Sequence, residues 1–386
     1  MAISSILTLC RETLFLEVCS VFEIGPIRPP SEAESLLLRI TRNCPWNKCK
    51  FCTIYKKHKF STRPIEDIKA DIDRIALFRD KIRGGYAEDL NKLPDEDAES
   101  ALYIMRWIAN GEESVFLQDA NALVLSYDKF REVLVHLRKK LPWVKRVTTY
   151  GRVDSINRLS VEQLTGLREA GLDRIHSGYE SGADAVLSYL NKGHTKAQEI
   201  EAGQKVKAAG IELSVYFMPG AGGKSLSDHN AAETADVINK VNPDFVRVRT
   251  FIPQRGTEVL DEISAGQRVE CTDKEKALEL KKMIEHISGA SGNLFSDHII
   301  NLFENVNGNM TADKERMLFV FADFEGLGED EQRMYQVARR MSMVGSTQHM
   351  ALLNNAQKDK IFSYLSQLET DADFEAFLLK LLQRYI

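Results

Sequence analysis

The chain has 386 residues, a formal net charge of −5, 44% hydrophobic and 28% charged residues. That is enough apolar content and length to bury a sizeable core without staples, and six cysteines in so long a chain, three of them within nine residues, do not make a secreted disulfide framework. Neither the charge nor a pI near 6.0 supplies the long-range attraction of a general nucleic-acid binder, so nucleic acid is not indicated.

Residues 1–20 are fairly apolar, but they lack a basic leader and are interrupted by Arg11, Glu12 and Glu17. They are too polar to span a bilayer. The expectation is an amphipathic element within an N-terminal packing segment, 1–35, in a cytoplasmic protein with no membrane partner.

From residue 36 an alternating rhythm begins. Strands are predicted at 35–41, 114–120, 146–152, 174–180, 212–218 and 245–251, each ending in polar or glycine-rich residues. Helices with apolar residues three and four apart are predicted at 128–141, 160–171, 195–210 and 227–241. Ser160 and Asp228 stand where N-caps belong, and Gly171 and Gly210 where C-caps belong. Strands alternating with helices predict an α/β fold. Six such units over 36–261 predict a partial (β/α)6 barrel of parallel strands, with its chemistry at the C-terminal strand ends. Residues 84–113 break the rhythm as an acidic loop and helix, and 262–386 read as a helical C-terminal region without clear strands.

The first strand runs straight into RNCPWNKCKFCTIYK, with Cys44, Cys49 and Cys52 spaced C-x4-C-x2-C. Three thiolates on one polar loop can converge on one face of an iron–sulfur cluster and leave one iron without a protein ligand. Two other readings stand beside it. One is a zinc site with His58 as fourth ligand, and the other is three inert core cysteines. The remaining cysteines, Cys10, Cys19 and Cys271, have no paired spacing and read as small core residues.

With Phe51 just before the last cysteine, this loop resembles that of the radical S-adenosylmethionine (SAM) superfamily, whose usual spacing, C-x3-C-x2-C, is one residue shorter. The resemblance extends over roughly 36–260. Gly178-Tyr179-Glu180-Ser181-Gly182 followed by VLSYLNKGHT, the turn FMPGAGGKS and RTFIPQRGTEV are similar to the branch of oxygen-independent coproporphyrinogen oxidase and tRNA-modifying members. It implies a 4Fe–4S cluster on Cys44, Cys49 and Cys52, and SAM chelating the open iron. It further implies a 5′-deoxyadenosyl radical that abstracts hydrogen from an unidentified substrate, and a reducing electron donor such as flavodoxin or ferredoxin. Phe51 then lies near adenine, Asp119 and Glu180 face the SAM amine or ribose, Arg152 faces its carboxylate, and Gly220 and Gly222 flank the adenine.

Each residue also has a plainer role: a helix cap for Asp119 and Glu180, a surface ion pair for Arg152, a strand–helix loop for the glycines. Lys224-Ser225 misses the spacing of a phosphate loop, which excludes triphosphate hydrolysis. Arg247 and Arg249 alternate on the sixth strand and either hold an anionic substrate or face a buried carboxylate. Tyr150, Tyr179 and Tyr216 sit near strand ends and are expected mainly to pack. The rival function on the same fold is a haem-handling or other non-catalytic iron–sulfur protein, using surface histidines among His58, His194 and His298.

Overall fold

The computed structural model describes residues 22–85 and 95–385, and the expectations for residues 1–20, Cys10 and Cys19 lie outside them. The chain forms two compact units, Met1–Asn43 with Phe60–Tyr150 and Ala170–Leu172, and Cys44–Lys59 with Gly151–Glu169 and Asp173–Ile386.

The first unit holds β1 (Leu36–Arg39), β2 (Thr41–Arg42), β3 (Ser61–Thr62), α1 (Ile65–Arg83), α2 (Asp95–Ala109), β4 (Ser114–Gln118), α3 (Tyr127–Lys140) and β5 (Arg146–Tyr150). β4 pairs in parallel with β1 on one side and β5 on the other. Leu36, Leu38, Val115, Phe116, Leu117 and Val147 are all buried. Such unbroken apolar runs mark parallel strands covered on both faces. Helix α3 buries Phe130, Val133, Leu134 and Leu137, an i, i+3, i+4, i+7 stripe, each contributing about 1.5–3 kcal/mol. β2 and β3 pair antiparallel, so the chain leaves and re-enters this unit at one place around residues 44–59.

The second unit contains α4 (Val153–Asn157), α5 (Val161–Glu169), β6 (Arg174–Glu180), α6 (Asp184–Tyr189), α7 (Lys196–Ala208), β7 (Glu212–Phe217), α8 (Gly223–Val241), β8 (Phe245–Val248), α9 (Glu258–Ser264), α10 (Asp273–His286), β9 (Asn293–Phe295), β10 (Asn307–Asn309), α11 (Lys314–Glu325), α12 (Glu329–Arg340), α13 (Asn355–Leu365) and α14 (Asp371–Leu382). β6, β7, β8 and β9 pair in parallel in that order, and β10 closes the run antiparallel to β9.

The fold is thus α/β with mostly parallel strands and a helical C-terminal region, and all six predicted strands are present. Ser160 caps α5 as expected: its Oγ accepts from Gln163 N at 3.2 Å while Gln163 Oε1 accepts from Ser160 N at 3.1 Å. Asp228 does not cap α8. The helix already begins at Gly223, because the positive φ of Gly223 (65°) turns the chain into it, and Asp228 lies exposed on the helix, paired with Lys282. The C-terminal region also holds two strands, β9 and β10, too short for periodicity to show. There Arg340, 1% exposed, meets Asp273 through Nε–Oδ2 at 3.0 Å and donates Nη1 to the Ile300 carbonyl at 3.0 Å, tying α12 to the start of α10.

Candidate cluster and cofactor site

The cysteine loop belongs to the second unit and is fixed at many points. The Cys52 N–H donates to the Cys49 carbonyl at 3.3 Å, and the Asn47 N–H reaches Cys44 Sγ at 3.4 Å. Asn47, itself at φ 47°, donates its Nδ2 to the Tyr55 carbonyl at 2.5 Å. The loop is stitched to the turn after α6: Trp46 Nε1 donates to the Asn191 carbonyl at 2.7 Å, the Lys50 N–H to the Leu190 carbonyl at 3.0 Å, and Asn191 Nδ2 to the Lys48 carbonyl at 3.1 Å. Gly193 sits at φ 80°, and a Cβ there would lie 2.5 Å from the Trp46 ring, so only glycine admits the indole. Lys50 is paired with Glu262 at 2.7 Å, which also accepts from the Tyr189 hydroxyl at 2.5 Å.

Cys49 is buried, while Cys44 and Cys52 are half-buried. Burial pushes the Cys52 thiol up. The nearby Cys49 and Cys44 add to the shift, and the Lys192 ammonium opposes it. Among the described residues, no three Cys, His, Asp or Glu side chains gather around a single ion position.

Lys192 is the residue that sequence reading missed. It is 5% exposed, its Nζ stands 3.4 Å from Glu180 Oε1 and 5.8 Å from the centre of the Phe51 ring. Its signal was the Asn-Lys-Gly turn, with Asn191 and Gly193 both at positive φ, closing a short helix after a strand-end glutamate. Glu180 ends β6 at φ 68°, left-handed backbone that is unfavourable for a non-glycine residue, and a register shift between Ser177 and Glu180 bulges the strand there. It does not cap α6, whose N-cap is Ala183 without a side-chain bond. Phe51 packs on the cluster of Ala183, Val186, Leu190, Met218, Ala221, Phe251 and Val259.

The other singled-out residues are held by their own neighbours. Arg152 spends Nε on Asp154 at 2.8 Å and Nη2 on the Lys192 carbonyl at 2.9 Å, with its guanidinium 5.3 Å over Trp46, so it braces the Lys192 turn. Asp119, in the first unit, is fully buried, and its Oδ2 accepts from Arg39 Nη2 at 2.9 Å and Asn43 N at 3.2 Å. At Gly220 and Gly222 the nearest atoms to an added Cβ are Lys276 Cγ and Leu226 Cβ, each at 2.8 Å, so the chain packs closely on itself at both. The Gly220 N–H donates to Glu279 at 3.1 Å; this carboxyl, which burial pushes up to about 7, also accepts from Ser227 Oγ at 2.5 Å and Asn230 Nδ2 at 2.6 Å.

The histidines differ from expectation. His58 is exposed, but His194 is buried beside Glu199 (Nε2···Oε1 2.9 Å), and burial drives it down to about 2. His298 is half-buried, held down to about 4 by burial and by Arg249. Neither is a surface histidine. Tyr179 is buried and donates to the Glu199 carbonyl at 2.8 Å, and Tyr150 stacks edge-on against Phe116, both as packing residues. Arg247 is buried against the Phe295 ring with Asp297 at 3.9 Å, whereas Arg249 lies beyond β8 and is exposed. The two arginines therefore do not share a buried face. Cys271 is buried, and burial, with Glu279 and Glu270 adding, pushes its thiol up to about 12. No helix among the described residues is long and apolar enough to cross a membrane.

Comparison with known proteins places this arrangement among relatives. The family model described as the radical SAM superfamily matches residues 38–235, just over half of the chain. The chain is 22% identical over 226 residues to the tRNA-2-methylthio-N(6)-dimethylallyladenosine synthase of Chlorobium phaeobacteroides (strain BS1), covering 58% of this chain and 43% of that one. It is 24% identical over 187 residues to the biotin synthase of Thermotoga neapolitana, covering 45% of this chain and 66% of that one. Among solved structures, coproporphyrinogen III oxidase from Escherichia coli aligns with a TM-score of 0.39 at 12% identity, over 67% of this chain and 52% of that one. The chain spans less than half the length of the methylthio synthase it matches.

Proposed function

The chain belongs to the radical SAM superfamily, and from that premise we propose that Cys44, Cys49 and Cys52 hold a 4Fe–4S cluster at which SAM is reductively cleaved. When bound, the cluster supplies the electron that breaks the carbon–sulfur bond of SAM, yielding a 5′-deoxyadenosyl radical that takes a hydrogen atom from a substrate. The donor set fits: soft thiolates suit iron–sulfur ligation, and three of them leave one position for the SAM amino-acid tail.

One observation carries the reading. The turn that pins the cysteine loop, Leu190–Gly193, is the same turn that delivers Lys192 to Glu180. Metal-ligating thiols and a buried ion pair are thereby held by a single piece of backbone. A buried ammonium and a carboxylate side by side match the two charges of an amino-acid zwitterion: Glu180 receives the amine or ribose hydroxyls, and Lys192 the carboxylate. Phe51 offers an apolar ring for adenine, and Arg152 positions the turn. A reducing compartment such as the cytoplasm keeps these thiols available, and a one-electron reductant completes the cycle.

The test is anaerobic reconstitution, then assay of 5′-deoxyadenosine formed from SAM with dithionite. Product that disappears in Cys49→Ala, together with loss of bound iron and sulfide, supports the assignment. Full iron retention in Cys44→Ala, Cys49→Ala and Cys52→Ala sinks it.

A further inference from the structure

We propose that the outer surface of the cysteine loop is the docking face for an acidic one-electron donor protein. The inference rests on the cluster reading above. Over residues 44–59 the chain carries Lys48, Lys50, Lys56, Lys57 and Lys59 and no Asp or Glu, against a net charge of −5 for the whole protein. Lys50 is neutralised by Glu262, while Lys48, Lys56, Lys57 and His58 are exposed. An anionic partner is therefore repelled by the molecule at large and attracted at this loop, which is how charge selects a face and speeds encounter.

The patch lies where an electron has to enter. Lys48 adjoins Cys49, and Lys56 is four residues from Cys52, at most about 14 Å along even a fully extended chain. The segment is also folded back on itself, with the His58 N–H donating to the Tyr55 carbonyl at 2.9 Å. Electron transfer falls steeply with distance, so a donor gains most by seating on the loop that holds the acceptor. Ile54, 41% exposed, supplies an apolar centre among the lysines. A small, charged, lightly apolar patch suits the brief, low-area contacts of redox partners.

Read as an RNA surface, the same lysines lack, within residues 44–59, the open aromatic platforms on which unpaired bases stack. Tyr55 is 3% exposed, and Trp46 has Lys48 5.0 Å and Arg152 5.3 Å from its ring centre and Gly193 packed against it. The transfer balances simply: the donor would lose one electron, a cluster held by Cys44, Cys49 and Cys52 would gain it, and no bond or proton would move.

The experiment compares wild type with Lys56→Glu/Lys57→Glu and Lys56→Arg/Lys57→Arg, using flavodoxin as the acidic probe. Binding of oxidised flavodoxin is measured by calorimetry on the cluster-free and the reconstituted protein at two salt concentrations. SAM cleavage is then driven either by reduced flavodoxin or by dithionite. The charge-reversed variant is expected to raise the flavodoxin Kd at least about tenfold and to lose its salt dependence. The Arg variant is expected to match wild type, and the dithionite-driven rate to stay unchanged in all three. An unchanged flavodoxin Kd in Lys56→Glu/Lys57→Glu overturns the proposal. Absence of dithionite-driven cleavage in wild type is a different failure, that of the cluster reading itself.

Discussion

Lys192 Nζ faces Glu180 Oε1 across 3.4 Å, an ammonium and a carboxylate both largely withdrawn from water at the end of β6. Each compensates the other's desolvation, so removing one leaves the other charge buried without it. Lys192→Met is therefore expected to weaken SAM binding by at least about tenfold, roughly 1.4 kcal/mol, while iron content stays at the wild-type level. Equilibrium dialysis of SAM alongside iron analysis separates the two quantities. Iron lost in step with SAM affinity would move Lys192 from cofactor recognition to loop folding.

Trp46 lies in the longer first spacer of the cysteine motif and ties it to the turn after α6. Trp46→Phe deletes the indole N–H bond to the Asn191 carbonyl and should loosen the loop by about 1 kcal/mol. Gly193→Ala should do more, since its Cβ would lie 2.5 Å from the ring at a φ of 80°. The rate at which a chelator strips iron from reconstituted protein reads both effects, with the order wild type slowest, Trp46→Phe intermediate, Gly193→Ala fastest.

Cys271 is the internal control for thiol chemistry. With its thiol raised to about 12, it carries almost no thiolate at pH 8. In the native, cluster-free protein, alkylation at pH 8 followed by peptide mass analysis should leave Cys271 unmodified. Cys271→Ala should retain full cluster iron.

His194 gives the protein an acid-side weakness. Burial holds its folded value down to about 2, against 6.5 for an exposed histidine, so below pH 6.5 the unfolded chain binds a proton that the folded chain refuses. The contribution is complete above pH 6.5 and lost as pH falls toward 2, at up to about 1.4 kcal/mol per pH unit. Glu199, raised by burial, has the opposite sign, its contribution being lost as pH rises through its folded value. Urea midpoints at pH 7.5 and 5.5 should therefore drop more steeply for wild type than for His194→Gln.

The strand ladder and the clustering of the three cysteines were legible because their information is local. Cys44, Cys49 and Cys52 fall within a nine-residue span, and apolar runs such as Val115–Leu117 announce buried parallel strands without knowledge of their partners. Lys192 was not legible, because its meaning comes from a glutamate twelve residues earlier, swung round by a bulge. The partner of Asp119, Arg39 on the strand beside it, was not legible either, because strand pairing brings the two together. Asp228 looked like a cap because aspartate usually is one, but a glycine turn had already started the helix.

Short β9 has a consequence out of proportion to its three residues. By pairing along Phe245–Arg247, it covers hydrogen-bonding groups of β8 that would otherwise form an open sheet margin. A chain ended near residue 290 would bare that margin and present unpaired amides and carbonyls to its neighbours in solution. Its expected failure is colloidal: strand-to-strand association into oligomers and precipitate, ahead of any loss that an assay of catalysis would register.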